Sequence, residues 1–173
     1  ANNNIMISGS RMVSGQSVTD VFTYTVADGN GSTDTATLTI TINGTDEPPI
    51  AEDDFATVNV EDVSVTINSN NGVTVNDADI EGDITVTGIE NSSGDTGTIG
   101  SPLSGNYGNL ILNTDGSYTY TIDTSNTEIN KIPEGGSFIE QFTYTITDEA
   151  GQTETATIFI KINGKNDAPE AVD

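Results

Sequence analysis

The chain repeats itself. Residues 20–53, DVFTYTVADGNGSTDTATLTITINGTDEPPIAED, align with residues 140–173, EQFTYTITDEAGQTETATIFIKINGKNDAPEAVD, at an offset of 120 and without a gap; half of the 34 positions are identical. A period of this length means a tandem array of similar folding units, each with its own core. Phe22 matches Phe142, Tyr24 matches Tyr144 and Asp28 matches Asp148; Asn43-Gly44 matches Asn163-Gly164 and Pro49 matches Pro169. The predicted boundaries fall near Pro48-Pro49 and Ala168-Pro169. Residues 49–168 are then one complete repeat, residues 1–48 the last part of a preceding one, and residues 169–173 a linker or the start of the next. The chain opens on Ala1 rather than Met, so the expectation is a piece of a longer array.

Within each copy the apolar residues alternate with threonines. Phe22, Tyr24 and Val26 interleave with Thr23 and Thr25; Ala36, Leu38, Ile40 and Ile42 interleave with Thr35, Thr37, Thr39 and Thr41. A period of two places one set on a core face and the other on a solvent face, which predicts half-buried strands. DFATVNV, SVTIN, DITVTGI, NLILN and SYTYTID read the same way, with turn signals at Asp28-Gly29 and Asp115-Gly116. No amphipathic helix is evident; SNTEINKIP (125–133) has room for one helical turn before Pro133. The predicted fold is all-β: an antiparallel sandwich of immunoglobulin-like size and strand count.

Charge limits the partners. There are 27 acidic residues and 4 basic ones, a net charge of −23. Nucleic acid and anionic membranes need a basic surface, so neither is expected as a partner. The balance fits cation binding or plain solubility. The chain has no Cys, His or Trp, hence no disulfide, thiol or imidazole chemistry, and no apolar run of membrane-spanning length. No nucleophile system of the His or Cys kind can be built, and no motif supports a Ser-Lys dyad or a carboxylate pair, so an enzyme is not expected.

The densest acidic stretch is NDADIEGD (76–83), which carries Asp77, Asp79, Glu81 and Asp83. Like charges this close repel, and something must offset them. Asp77-x-Asp79-x-Glu81-Gly82 opens as calcium loops do, with a glycine that permits a sharp turn. The EF-hand form is excluded, because its twelfth position is Gly88 rather than a bidentate Glu. Two readings stay open: a site for Ca²⁺, which takes six to eight oxygen ligands, and a solvated acidic loop.

The combination of DGSYTY, FTYT, TATI and NGKNDAP resembles the VCBS and cadherin-like repeats of large secreted bacterial adhesins, many of the RTX type. That resemblance covers nearly the whole chain. It implies extracellular β-sandwiches in tandem, secreted or held at the bacterial surface, acting as spacers or binding modules and stiffened by calcium. NGKNDAP is similar to a cadherin interdomain linker, and NDADIEGD to the cadherin DAD calcium motif. The upstream linker NGTDEPP departs from this pattern, with Asp46 and Glu47 in place of Asn166 and Asp167, and Pro48 in place of Ala168. The implied ligand set joins Asp77, Asp79, Glu81 and Asp83 to Asp46, Glu47, Asp53 and Asp54, with Glu61-Asp62 approaching. The implied function is a calcium-stiffened extender that holds distal binding domains away from the cell. The alternative is a module that binds carbohydrate or another surface ligand.

Three other features have bland readings. Asp28, Asn30 and Asp34 fit a hairpin turn better than a metal site, because Ala150 replaces Asn30 in the second copy. The threonine ladder suits a solvent-facing strand, and Phe159 and Lys161 interrupt it in the second copy. Lys161 alternates with Ile160 and Ile162 and should face solvent, which argues against an isopeptide bond. The aromatic residues follow the apolar parity, so a sugar-stacking surface is not expected. The hairpin within residues 1–48 has a core face but no evident cover, so packing on, or strand exchange with, another chain is expected.

Overall fold

The computed structural model describes residues 12–165. The chain divides into two compact units between Glu47 and Pro48. The first holds one hairpin: β1 (Ser17–Ala27) and β2 (Thr33–Asn43), antiparallel over eleven residues each. Its turn is built as the sequence predicts. The Asp28 carboxylate accepts the backbone N–H groups of Asn30 (2.8 Å) and Ser32 (3.1 Å), and Gly29 takes the left-handed φ of 80° that favours glycine. The strands differ from expectation in one respect. Every residue from Val21 to Asn43 is exposed on both faces rather than half-buried, because no second layer lies on them among the described residues.

The second unit is a two-sheet sandwich. Its larger sheet has the order β3-β11-β10-β5-β6, formed by β3 (Asp54–Asn59), β5 (Thr85–Asn91), β6 (Thr96–Gly97), β10 (Ser137–Thr147) and β11 (Thr153–Asn163). The smaller sheet, β4-β9-β8-β7, is made by β4 (Ser64–Ile67), β7 (Leu103–Ser104), β8 (Gly108–Leu112) and β9 (Tyr118–Ile122). All pairings are antiparallel except β3 with β11, which run parallel. Three short 3₁₀ turns complete the unit; the third, Ile129–Lys131, occupies the stretch before Pro133. The two-residue strands β6 and β7 are too short to show any alternation.

The core lies between the sheets. Phe142, Tyr144, Ile146, Ile158, Ile160 and Ile162 meet Leu110, Leu112, Tyr118, Tyr120 and Ile122. Each such side chain contributes about 1.5–3 kcal/mol of transfer free energy when fully buried. Lys161 is exposed, as its parity requires.

One buried group is charged. Glu140 stands on the inward row of β10, two residues before Phe142, and is 1% exposed. Its carboxylate accepts three hydrogen bonds: Asn106 N–H to Oε1 (2.8 Å), and Tyr107 N–H (2.7 Å) and the Tyr120 hydroxyl (3.0 Å) to Oε2. It thereby fastens the β7–β8 connection to the opposite sheet. Gly105 makes room for it, since a Cβ there would stand 2.6 Å from the Glu140 carboxyl carbon. The sequence held a signal for this residue: Glu140 falls on apolar parity, and Asp20 repeats the acid at the same place in the other copy.

Candidate functional site

The acidic stretch 76–83 lies between the second 3₁₀ turn (Val73–Val75) and β5. Asp77, Asp79 and Asp83 all line one open cleft of about 640 Å³, together with Thr74, Ala78, Gly82, Ile84 and Thr85. The loop is stapled to the segment that begins the second unit. Ile50 N–H donates to Ala78 O (2.7 Å), and Ala78 N–H donates to Ile50 O (2.9 Å). Asp77 Oδ1 accepts the Glu52 N–H at 2.8 Å, and the Asn76 side-chain amide donates to Glu52 O and Asp53 O.

Asp77 is engaged from the inside as well. The Tyr144 hydroxyl lies 3.0 Å from both of its carboxylate oxygens and 3.0 Å from Glu52 O. One phenolic proton therefore faces a surplus of acceptors. Asp54 adds to that surplus: its Oδ2 is buried and has no hydrogen-bond partner. Burial, partly opposed by the Tyr144 hydroxyl, pushes the Asp54 carboxyl up to about 6, and the charges of Asp77 and Asp53 push the same way. Burial also raises Asp77, against the hydrogen bonds from Glu52 N–H and Tyr144.

Of the other predicted ligands in the second unit, Asp79 and Asp83 line this cleft and Glu81, Asp53, Asp54, Glu61 and Asp62 do not. Asp79 Oδ1 accepts the Glu81 N–H (3.2 Å), which tightens the loop. The Glu81 carboxylate is turned away from solvent and does not line the cleft. Asp53 Oδ1 accepts Thr157 N–H (2.8 Å) and so extends the edge of the β3–β11 pairing. Asp46 and Glu47 belong to the first unit, where Thr45 Oγ1 donates to Glu47 (3.3 Å). Glu61 and Asp62 sit in the turn after β3, where Asn59 Nδ2 donates to Asp62 (2.7 Å); the length of β3 separates them from Asp54. The linker residues Asn166, Asp167 and Ala168 lie outside the described residues, as do 169–173.

Calcium asks for hard oxygen donors. The three cleft carboxylates fit it in kind and charge, although no group of three or more acids among the described residues is already arranged to hold a metal. Asp148, the counterpart of Asp28, stands in the hairpin turn after β10, as the sequence predicts, but its burial is not legible there. It follows Thr147, the partner of Thr85 in β5, and is 8% exposed. Its Oδ1 accepts the Gln152 N–H (2.8 Å), and its Oδ2 is buried with no hydrogen-bond partner. Next to it, the Glu149 side chain lies against Gly82.

The outer face corrects one expectation. Phe55 is 76% exposed and stacks on Phe159, with ring centroids 5.2 Å apart and planes 11° from parallel. The parallel register sets Phe55 opposite Phe159, on the parity that faces away from Ile158 and Ile160. Strand pairing, not the parity of either strand alone, builds this aromatic pair.

Residues 46–164, more than half of the chain, match the family model for the bacterial cadherin-like domain. The chain belongs to the bacterial cadherin-like domain family. Residues 2–41 also match a bacterial Ig domain model. No curated protein matches the chain significantly. No helix among the described residues is long and apolar enough to cross a membrane.

In this cadherin-like domain, Asp54 and Asp77 have pKa values above the ordinary carboxylate value of 3.8. The fold therefore favours their protonated forms. The stabilisation is fully present below about pH 4 and is lost as pH rises through about 6, the folded-state value of Asp54. At 1.36 kcal/mol per unit the Asp54 shift converts to about 3 kcal/mol, and solvent screening of this half-buried group reduces that to about 1 kcal/mol. Asp54→Asn should thus stabilise the domain by about 1 kcal/mol at pH 7 in chelator and have little effect at pH 4. Urea denaturation at the two pH values checks this. A loss of stability at pH 7 in chelator would mean that the charged carboxylate is needed there.

Proposed function

We propose that this chain is a calcium-stiffened structural module of a bacterial surface adhesin. Its cadherin-like domain serves as an extracellular spacer that carries more distal binding domains away from the cell. The observation that supports this reading is the coupling between the acidic cleft and the start of the domain. Asp77, Asp79 and Asp83 line the cleft, and Ala78, between the first two, exchanges two backbone hydrogen bonds with Ile50. Bound Ca²⁺ supplies positive charge and oxygen coordination to a loop that otherwise holds mutually repelling carboxylates. Asp79 and Asp83, with the cleft-facing side of Asp77, would hold it. Ordering that loop orders Ile50, the third residue after the boundary between the units, so the ion's binding energy goes into stiffening the entry to the domain.

Extracellular calcium modules bind at about 0.1–1 mM. At ten times the dissociation constant, which millimolar calcium reaches at the tighter end of that range, one site adds about 1.4 kcal/mol to the unfolding free energy. The chain should therefore melt higher in millimolar calcium than in chelator. Asp79→Asn should shrink that gain without lowering stability in chelator. Glu90→Gln, which removes the same charge from an exposed position outside the cleft, should leave the gain intact. If calcium moves neither the melting temperature nor the exchange protection of Ile50 and Ala78, the acidic stretch is a solvated loop and the stiffening role fails.

The Phe55–Phe159 pair favours a second reading, a surface that stacks on carbohydrate rings. A glycan array with the intact chain and with Phe55→Ala separates the two: binding that the substitution abolishes supports the ligand-binding reading.

A further inference from the structure

The hairpin β1–β2 carries a full set of core side chains that no second layer covers among the described residues. Its register is that of β10–β11, residue for residue. Ser17 pairs with Asn43 as Ser137 pairs with Asn163, and Ala27 pairs with Thr33 as Thr147 pairs with Thr153. On one row β10 presents Glu140, Phe142, Tyr144 and Ile146, all buried. The matching row of β1 presents Asp20, Phe22, Tyr24 and Val26; Phe22 is 47% and Tyr24 51% exposed. Both edges also differ. β11 carries β3 and β10 carries β5, whereas β1 and β2 form a two-stranded sheet among the described residues.

We propose that β1–β2 is the closing hairpin of a second cadherin-like sandwich, and that its partner is a polypeptide segment with the strand pattern of residues 48–136. The partner supplies a strand parallel to β2, as β3 is to β11, and a strand antiparallel to β1, as β5 is to β10. It also supplies an opposing sheet. Its polar chemistry follows from the two acids and two tyrosines at equivalent positions. Asp20, one methylene shorter than Glu140, requires backbone N–H groups from a close-approaching loop, the role of Asn106 and Tyr107. The Tyr24 hydroxyl requires a carboxylate or carbonyl, the role of Asp77 and Glu52.

A second copy of this chain fits poorly. Its β3 and β5 already pair with β11 and β10, and its sandwich interior is closed. Two hairpins placed face to face would bury Asp20 against apolar side chains, with no loop N–H groups to receive its charge.

The test supplies such a segment. Residues 48–136 of this chain are joined directly to Ser17 of the remaining chain, in the order in which Gly136 precedes Ser137. Amide hydrogen exchange is followed in β1–β2. In the unmodified chain these amides should exchange freely; in the fusion they should slow by about a thousandfold or more, towards the protection of β10–β11. A matched fusion, with residues 137–163 in place of 17–43, reports whether the added half can close on a hairpin at that joint. Slowing in the matched fusion but not in the first overturns the proposal. Protection of β1–β2 in the unmodified chain that rises with protein concentration also overturns it, because it assigns the face to a second copy.

Discussion

Replacing Glu140 by Ala should lower the unfolding free energy by about 3–5 kcal/mol. The substitution leaves the Asn106 and Tyr107 N–H groups and the Tyr120 hydroxyl facing a space with no acceptor. Each buried polar group left unpaired costs about 1–3 kcal/mol, while the Tyr107–Phe138 ring stack between the β7–β8 connection and β10 can remain. Glu140→Gln should also destabilise, by less: it keeps the shape but sets an amide NH₂ against donors that want an oxygen. Glu134→Ala, at an exposed position, should stay within about 0.5 kcal/mol of the parent. Urea denaturation in chelator measures all three, free of any calcium contribution. If Glu140→Ala and Glu134→Ala cost the same, the buried carboxylate does not fasten the loop.

Ile160→Ala should cost about 2–5 kcal/mol. Ile160 is fully buried, pairs with Glu140 across the β10–β11 ladder and with Ala56 across the β11–β3 ladder, and lies under the opposing sheet. Removing its side chain loses transfer free energy and leaves a cavity that two hydrogen-bonded neighbours keep from collapsing. Thr157→Ala, three residues earlier and on the opposite parity, should cost well under half as much, because its packing is on the outer face and its backbone bond to Asp53 is retained. Equal losses at the two positions would mean that the faces of β11 are reversed.

The two residues were not equally legible. Alternation alone puts Ile160 inside, because a strand's side chains change face at every step. The same rule puts Glu140 inside but says nothing of how a carboxylate survives there. Its three donors come from Asn106, Tyr107 and Tyr120, more than 19 residues away in sequence on the other layer, and no local pattern encodes that meeting.

The acidic cleft divides the same way. The spacing of Asp77, Asp79 and Asp83 marked a loop rich in oxygen donors, and all three do line one cleft. The sequence had no means of showing that Asp77 also turns to Tyr144, that Asp53 caps the edge of β11, or that Asp148 is buried one residue past β10. Those positions depend on which strands become neighbours.

Besides its own 120-residue repeat, what the sequence determined by itself is everything with a short period or a local cause: the period-two strands, the Asp-Gly turns and the core parity of the longer strands. These follow from steric and solvation rules that act over a few residues. Only the tertiary structure decided the parallel pairing of β3 with β11, the Phe55–Phe159 stack that this pairing creates, and the burial of one hairpin beside the exposure of its near copy. Burial is a property of two surfaces. The chain writes one of them into each hairpin, and within the described residues only β10–β11 has a second layer on which to close.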